Sequence, residues 1–216
     1  MKKKVIEIDV DGVLLDLLNN TELKNMLKDA YPEYTEDCIR DYDFGHANIV
    51  RYDNRPFATT DEMDEYIISN WNARVTDEDT VFILGDATWH DDETTAKLLR
   101  RLKGKKVLIE GNHDNKLKEL SRREFAEIHF GYWEIKDPET GRFVVMSHYP
   151  IHFYNRQRHG AVMLYGHVHN MLDYEVSKEV VELVNARLGL NSRIINVGCM
   201  LWDYTPRTLK ELMKGT

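Results

Sequence analysis

A chain of 216 residues can bury one sizeable core, and its length favours one domain over two. With 42% hydrophobic and 31% charged residues it has an ordinary globular composition; no apolar run approaches the roughly 20 residues that cross a bilayer, and Lys2-Lys3-Lys4 is followed by no signal-peptide apolar region, so a cytoplasmic location without a membrane partner is expected. The formal charge of -8 (29 Lys plus Arg against 37 Asp plus Glu) disfavours long nucleic acid as a partner, and Cys38 and Cys199 are too few for a disulfide framework.

In chain order, Val5-Ile6-Glu7-Ile8 reads as a strand that runs into Asp9-Val10-Asp11 and turns at Gly12. Leu14, Leu15, Leu18, Leu23 and Leu27 follow at helical spacing until Tyr31-Pro32 stops the pattern. The stretch 33–43 is acidic, and Phe44-Gly45-His46-Ala47-Asn48 reads as a loop. The spacing of Met63, Tyr66, Ile67 and Trp71 predicts a helix over 61–71, capped by Thr59, Thr60 or Asp61. A strand at 81–84, a helix at 94–102 and a strand at 106–110 then form a βαβ pattern, which predicts two parallel neighbouring strands. A helix is expected at 117–125, strands at 132–135, 142–147, 161–165 and 194–200, and a helix at 177–188. The sum is one α/β domain over 1–216: two sheets face to face with helices outside, with an atypical strand-helix segment at 1–43 ahead of a core at 44–200.

Several of these strands end in groups that bind metal. Their carboxyl ends, where open α/β sheets hold ligands, supply Asp86, Asn112, His113, His148, His167 and His169. Imidazole and carboxylate without thiolate suit Mn, Fe, Zn or Ni. Two such cations about 3.5 to 4 Å apart are a recurrent device for in-line displacement at phosphorus. Each piece alone has a plainer explanation, since Gly-Asp and Gly-Asn pairs are common turns and His148 could be a satisfied core histidine. Their occurrence together is what points to convergent ligands. The basic run Arg100, Arg101, Lys103, Lys105 and Lys106 is expected to be a solvated helix end, and His90, His129, His152 and His159 to be surface or loop residues. Trp89 could wall the pocket, and Arg51 and Arg55 could meet phosphate or a structural acid.

Gly85-Asp86, Gly111-Asn112-His113-Asp114, His148 after a strand and Gly166-His167-Val168-His169, in that order, resemble the calcineurin-like metallophosphoesterase family. Phe44-Gly45-His46-Ala47-Asn48-Ile49 with Arg51-Tyr52-Asp53-Asn54-Arg55-Pro56-Phe57 resembles a bacterial and phage-type branch of it. The resemblance covers 44–200 and implies a four-layer β-sandwich flanked by helices. It implies that Asp86 bridges two divalent metals, that Asn112, His148 and His167 complete one site, and that His169 serves the other. His113 would contact the phosphoryl group or protonate the leaving oxygen, with Asp114 orienting its ring. The implied activity is hydrolysis of a small phosphomonoester or phosphodiester by attack of a metal-bridging hydroxide. Mn is the favoured metal, with Fe, Zn, Ni or Mg as alternatives.

The family's opening Asp-x-His is missing from this chain. Asp41 and Asp43 align locally with it but lack a convincing strand, whereas Asp9-Val10-Asp11 follows a good one and is preferred, because a sheet without its central strand leaves backbone groups unpaired. An Asp-x-Asp pair is oxygen-rich and shifts preference toward Mn or Mg. Asp9-Val10-Asp11-Gly12-Val13-Leu14 also resembles the opening of haloacid dehalogenase-type phosphatases, which would make Asp9 a nucleophile. A non-catalytic scaffold with an impaired first metal site is the remaining alternative.

Overall fold

The computed structural model describes Phe44, Gly45 and residues 55–215. The chain divides into two units, Met1–Ile39 and Arg40–Thr216, and every described residue lies in the second. The expected first strand, the leucine-spaced helix, Asp9 and Asp11, their alternatives Asp41 and Asp43, His46 and Arg51 all fall outside the described residues.

Helix α1 (Thr60–Arg74) begins where the Thr59 side chain accepts from the Glu62 N–H, with Asp61 and Glu62 in the dipole-favoured first turn. Strand β1 (Thr80–Ile83), helix α2 (Asp92–Arg101) and strand β2 (Lys105–Glu110) form the expected unit, with β1 and β2 parallel. The single turn α3 (Glu119–Arg122) leads to β3 (Glu127–Phe130), parallel to β2 on its other side. A second sheet contains β4 (Trp133–Lys136), β5 (Phe143–Ser147) and β6 (Val162–Tyr165). After α4 (Leu172–Leu188) the chain returns as β7 (Arg193–Asn196), and α5 (Leu209–Leu212) closes the described residues. The sheet orders are β1-β2-β3 and β4-β5-β6-β7; the first is all parallel, whereas β4 runs antiparallel to β5 in the second. The architecture is mixed α/β, with parallel and mixed sheets flanked by helices.

Side-chain alternation along each strand separates three cores. Leu108, Val81 and Ile83 face one way, into a cluster with Met63, Ile67 and Trp71 of α1 and Leu98 and Leu99 of α2. Their neighbours Ile109 and Phe82 face the other way and meet Val144, Met146, Val162 and Ile195 of the second sheet, so this cluster is shared between the sheets. Val145, Met163 and Tyr165 point into a third cluster with Tyr154 and Ala161. Ile109 is fully buried at the shared core, and burial of such a side chain contributes about 1.5–3 kcal/mol.

Three expectations change. The helix expected at 117–125 shortens to one turn of α3, because the Asp92 carboxylate accepts from the Lys118, Leu120 and Ser121 N–H groups and the chain must then turn back to pair β3 with β2. The Ser121 hydroxyl is the largest influence on that carboxyl and, with those N–H groups, holds it down at about 2. The strand expected through residue 200 stops at Asn196, where Gly198 leads into a 3-10 turn at Cys199–Trp202. Helix α4 starts at Leu172, ahead of the expected residue 177.

Candidate functional site

The carboxyl ends of β1, β2, β5 and β6 deliver side chains to one point, centred on His148. Its Nδ1 lies 2.8 Å from the Leu84 carbonyl oxygen just past β1. A carbonyl only accepts, so Nδ1 carries the hydrogen, and in the neutral ring Nε2 presents a lone pair. That Nε2 is 3.0 Å from Asn112 Oδ1, 3.2 Å from His167 Nδ1 and 3.6 Å from Asp86 Oδ2. The inner half of the cluster is hidden from water, with Asp86 fully buried and His148 1% exposed, whereas His167 is half-buried and Asn112 is exposed.

Tight local backbone makes this approach possible. Gly85 has φ +89, and a Cβ there would stand 2.2 Å from His148 Nδ1; a Cβ on Gly111 would stand 2.4 Å from Asp86 Oδ1. The loops can pass these side chains only as glycine. Asp86, His167 and His169 adopt the left-handed region with φ of 48, 66 and 41. Such conformations cost on the order of 1–3 kcal/mol each and persist only where surrounding contacts enforce them.

Asp114 is one enforcer. Its Oδ2 accepts from the Asp86 N–H at 2.7 Å and the Gly111 N–H at 2.8 Å, and its Oδ1 accepts from the Ala87 N–H at 2.8 Å. Through these bonds Asp114 fastens the loop after β1 to the loop after β2. Burial pushes its carboxyl above the ordinary value, against the pull of the three N–H bonds. Asn196, buried at the end of β7, fixes the other sheet's loop by donating to the His169 carbonyl at 2.8 Å and accepting from the Gly198 N–H.

His113 is held through its own N–H, which donates to Asp86 Oδ1 at 2.7 Å, and its Nε2 lies 4.0 Å from Asp86 Oδ2. Trp89 packs on its ring with centroids 4.5 Å apart and carries Lys116 Nζ 3.5 Å above its own ring, so Trp89 does wall this side of the cluster. On the other side the Tyr149 hydroxyl donates to Asn112 Oδ1 at 3.2 Å, and its ring meets the His167 ring edge-on at 4.5 Å. Tyr149 was not singled out in the sequence. Its position directly after His148 was the available signal. Beyond Asn112 and Tyr149 lies a cleft of about 360 Å³, lined also by Glu110, Asn115, Arg122 and Phe130.

The set brought together is thus Asp86, Asn112, His148 and His167, with His113 alongside and His169 buried two residues further along the same loop. The donors fit a divalent cation chemically: a carboxylate, an amide oxygen and two imidazoles, with the His148 tautomer fixed by a backbone carbonyl as metal-ligating histidines usually are. Among the described residues no group of three or more His, Cys, Asp or Glu is placed so that it could hold a metal ion by itself. A cation here would draw on the Asn112 amide beside Asp86, His148 and His167.

Other candidates are engaged elsewhere. Arg55 is buried against Met63 and Tyr204. Of the basic run, Arg100 pairs with Glu124, Arg101 with Glu65, and Lys106 donates to the Leu102 and Gly104 carbonyls. His90 lies in the loop after β1, as expected of a surface or loop residue, but it is half-buried and bonds Asp64 at 2.7 Å, and that bond raises its pKa above the usual 6.5. His129 stacks on Trp133, and His152 sits near Ser177 with its pKa lowered by burial.

No family model matches this chain. A stretch of 78 residues is 45% identical to an uncharacterized protein of Methanocaldococcus jannaschii and covers 35% of this chain, so the chain spans only 44% of that relative's length. The fold is similar to the crystal structure of a protein of unknown function from Aquifex aeolicus, with a TM-score of 0.59 and 26% sequence identity over 80% of this chain and 94% of that one. Among the described residues no helix is long and apolar enough to cross a membrane.

Proposed function

We propose that this chain is a metal-dependent phosphoesterase of the calcineurin-like type that hydrolyses a small phosphomonoester or phosphodiester. Its two sheets and outer helices are then the inner and outer layers of a four-layer β-sandwich. The observation that carries this reading is the meeting of His148 Nε2 with Asn112, His167 and Asp86 at the ends of β1, β2, β5 and β6. Asp86, Asn112, His148 and His167 would hold one or both of two divalent ions, Mn first among them, with His169 beside them. Such ions supply Lewis acidity that draws a proton from water and offsets charge on the phosphoryl oxygens.

The protein's own groups do the rest. Leu84 O keeps the His148 lone pair aimed inward. Asp114 and the glycines hold the loops so that no reorganisation is needed when substrate arrives. His113, fixed by its N–H and by Trp89 yet 18% exposed, is placed to give a proton from its ring to the departing ester oxygen while water adds its oxygen to phosphorus and the ester bond breaks.

The test is Mn-dependent hydrolysis of bis(p-nitrophenyl) phosphate by the full chain. Asp86→Asn and His167→Ala should each abolish turnover. Full activity in His167→Ala with none in Asp9→Asn would move the chemistry to an aspartyl nucleophile. A wild-type chain that binds Mn without turnover would make it a scaffold.

A further inference from the structure

Building on the phosphoesterase reading, we propose that the cleft beside the strand ends seats the base of a nucleoside phosphate. Four observations converge there. The cleft measures about 360 Å³, at the small end of ligand sites, which suits one nucleoside and excludes a duplex. It shares Asn112 and Tyr149 with the cluster around His148, so a ligand in it reaches the phosphoryl position without a further channel. Its wall carries the Phe130 ring, 81% exposed at the end of edge strand β3, and Tyr149, 45% exposed. An aromatic ring left so open at a cleft wall offers a π-face to a flat ligand, and every nucleobase has one.

The polar lining matches the edge of a base. Asn115 presents a donor and an acceptor on one planar amide. The Arg122 guanidinium, paired with Glu110 at 2.5 Å, offers a planar donor group and a carboxylate acceptor next to it. A purely aliphatic ester would use neither the ring faces nor this set.

Titration calorimetry of the full chain without added metal tests the cleft apart from catalysis. Adenosine should bind where ribose does not, Phe130→Ala should weaken adenosine roughly tenfold, and Phe130→Trp should retain it. Absence of adenosine binding, or adenosine affinity unchanged in Phe130→Ala, overturns the assignment. So does light scattering in which Phe130→Ala turns a dimer into a monomer, because the ring then belongs to an interface. Adenosine binding through Phe130, with no Mn-dependent turnover of adenosine monophosphate, glycerol phosphate or bis(p-nitrophenyl) phosphate, sinks the phosphoesterase reading and keeps the cleft. Equal kcat/KM for those two esters without adenosine binding keeps the activity and sinks the cleft.

Discussion

Replacing Asp114 by Asn distinguishes a loop fastener from a ring orienter. The carboxylate takes three main-chain N–H bonds, two on Oδ2 and one on Oδ1, at 2.7 to 2.8 Å. An asparagine amide has one acceptor oxygen, so its best orientation keeps the Asp86 and Gly111 bonds and turns an NH2 toward the Ala87 N–H. One charge-assisted bond is lost and two donors face each other in a buried place, a cost on the order of 2–4 kcal/mol. For a chain of this size that is a Tm lower by about 5–15 °C. Urea unfolding followed by tryptophan fluorescence measures it, with the midpoint falling at an unchanged m-value. Stability within about 0.5 kcal/mol of wild type, the range of neutral surface changes, would refute the fastening role, even if activity fell.

Gly85→Ala should be worse than an ordinary loop change, because φ +89 and a Cβ 2.2 Å from His148 Nδ1 add left-handed strain to overpacking, about 2–5 kcal/mol together; the His148 Nδ1–H resonance should shift or vanish, and an unmoved resonance contradicts the packing. Asn196→Ala leaves the His169 carbonyl and the Gly198 N–H without their side-chain partner, for about 1–3 kcal/mol in chemical denaturation; a change indistinguishable from zero would count against the loop's dependence on this amide. His90→Asn tests the bond to Asp64. His90 has a folded pKa raised above 6.5, so its contribution is fully present below 6.5 and is lost as pH rises through the raised value. The stability gap between wild type and variant should therefore shrink toward alkaline pH, and a gap that widens with pH would be contrary.

Much of the described core was legible because its strands are short apolar runs with clear stops. Leu108-Ile109 and Val162-Met163-Leu164 alternate between neighbouring cores, and the pattern shows in the letters. Strand β3 was not legible: Glu127-Ile128-His129-Phe130 has little apolar signal, and it forms because β2 offers an unpaired edge and the Asp92-capped turn aims the chain at it. Asp86, Asn112, His148 and His167 could be grouped from residue type and strand-end position alone. The job of Asp114 could not, since three main-chain N–H groups leave no trace in side-chain chemistry. The Asp64–His90 bond was hidden for another reason: it joins α1 to the loop after β1 across 26 residues.

The central claim is that these strand ends gather donors for divalent cations. Anomalous scattering from a crystal soaked in Mn tests it most directly. The account predicts an anomalous peak within bonding distance of His148 Nε2, with Asp86, Asn112 and His167 as neighbours. A saturating soak whose Mn peaks lie only elsewhere on the molecule, with His148 still in contact with Asn112 and His167, would contradict it.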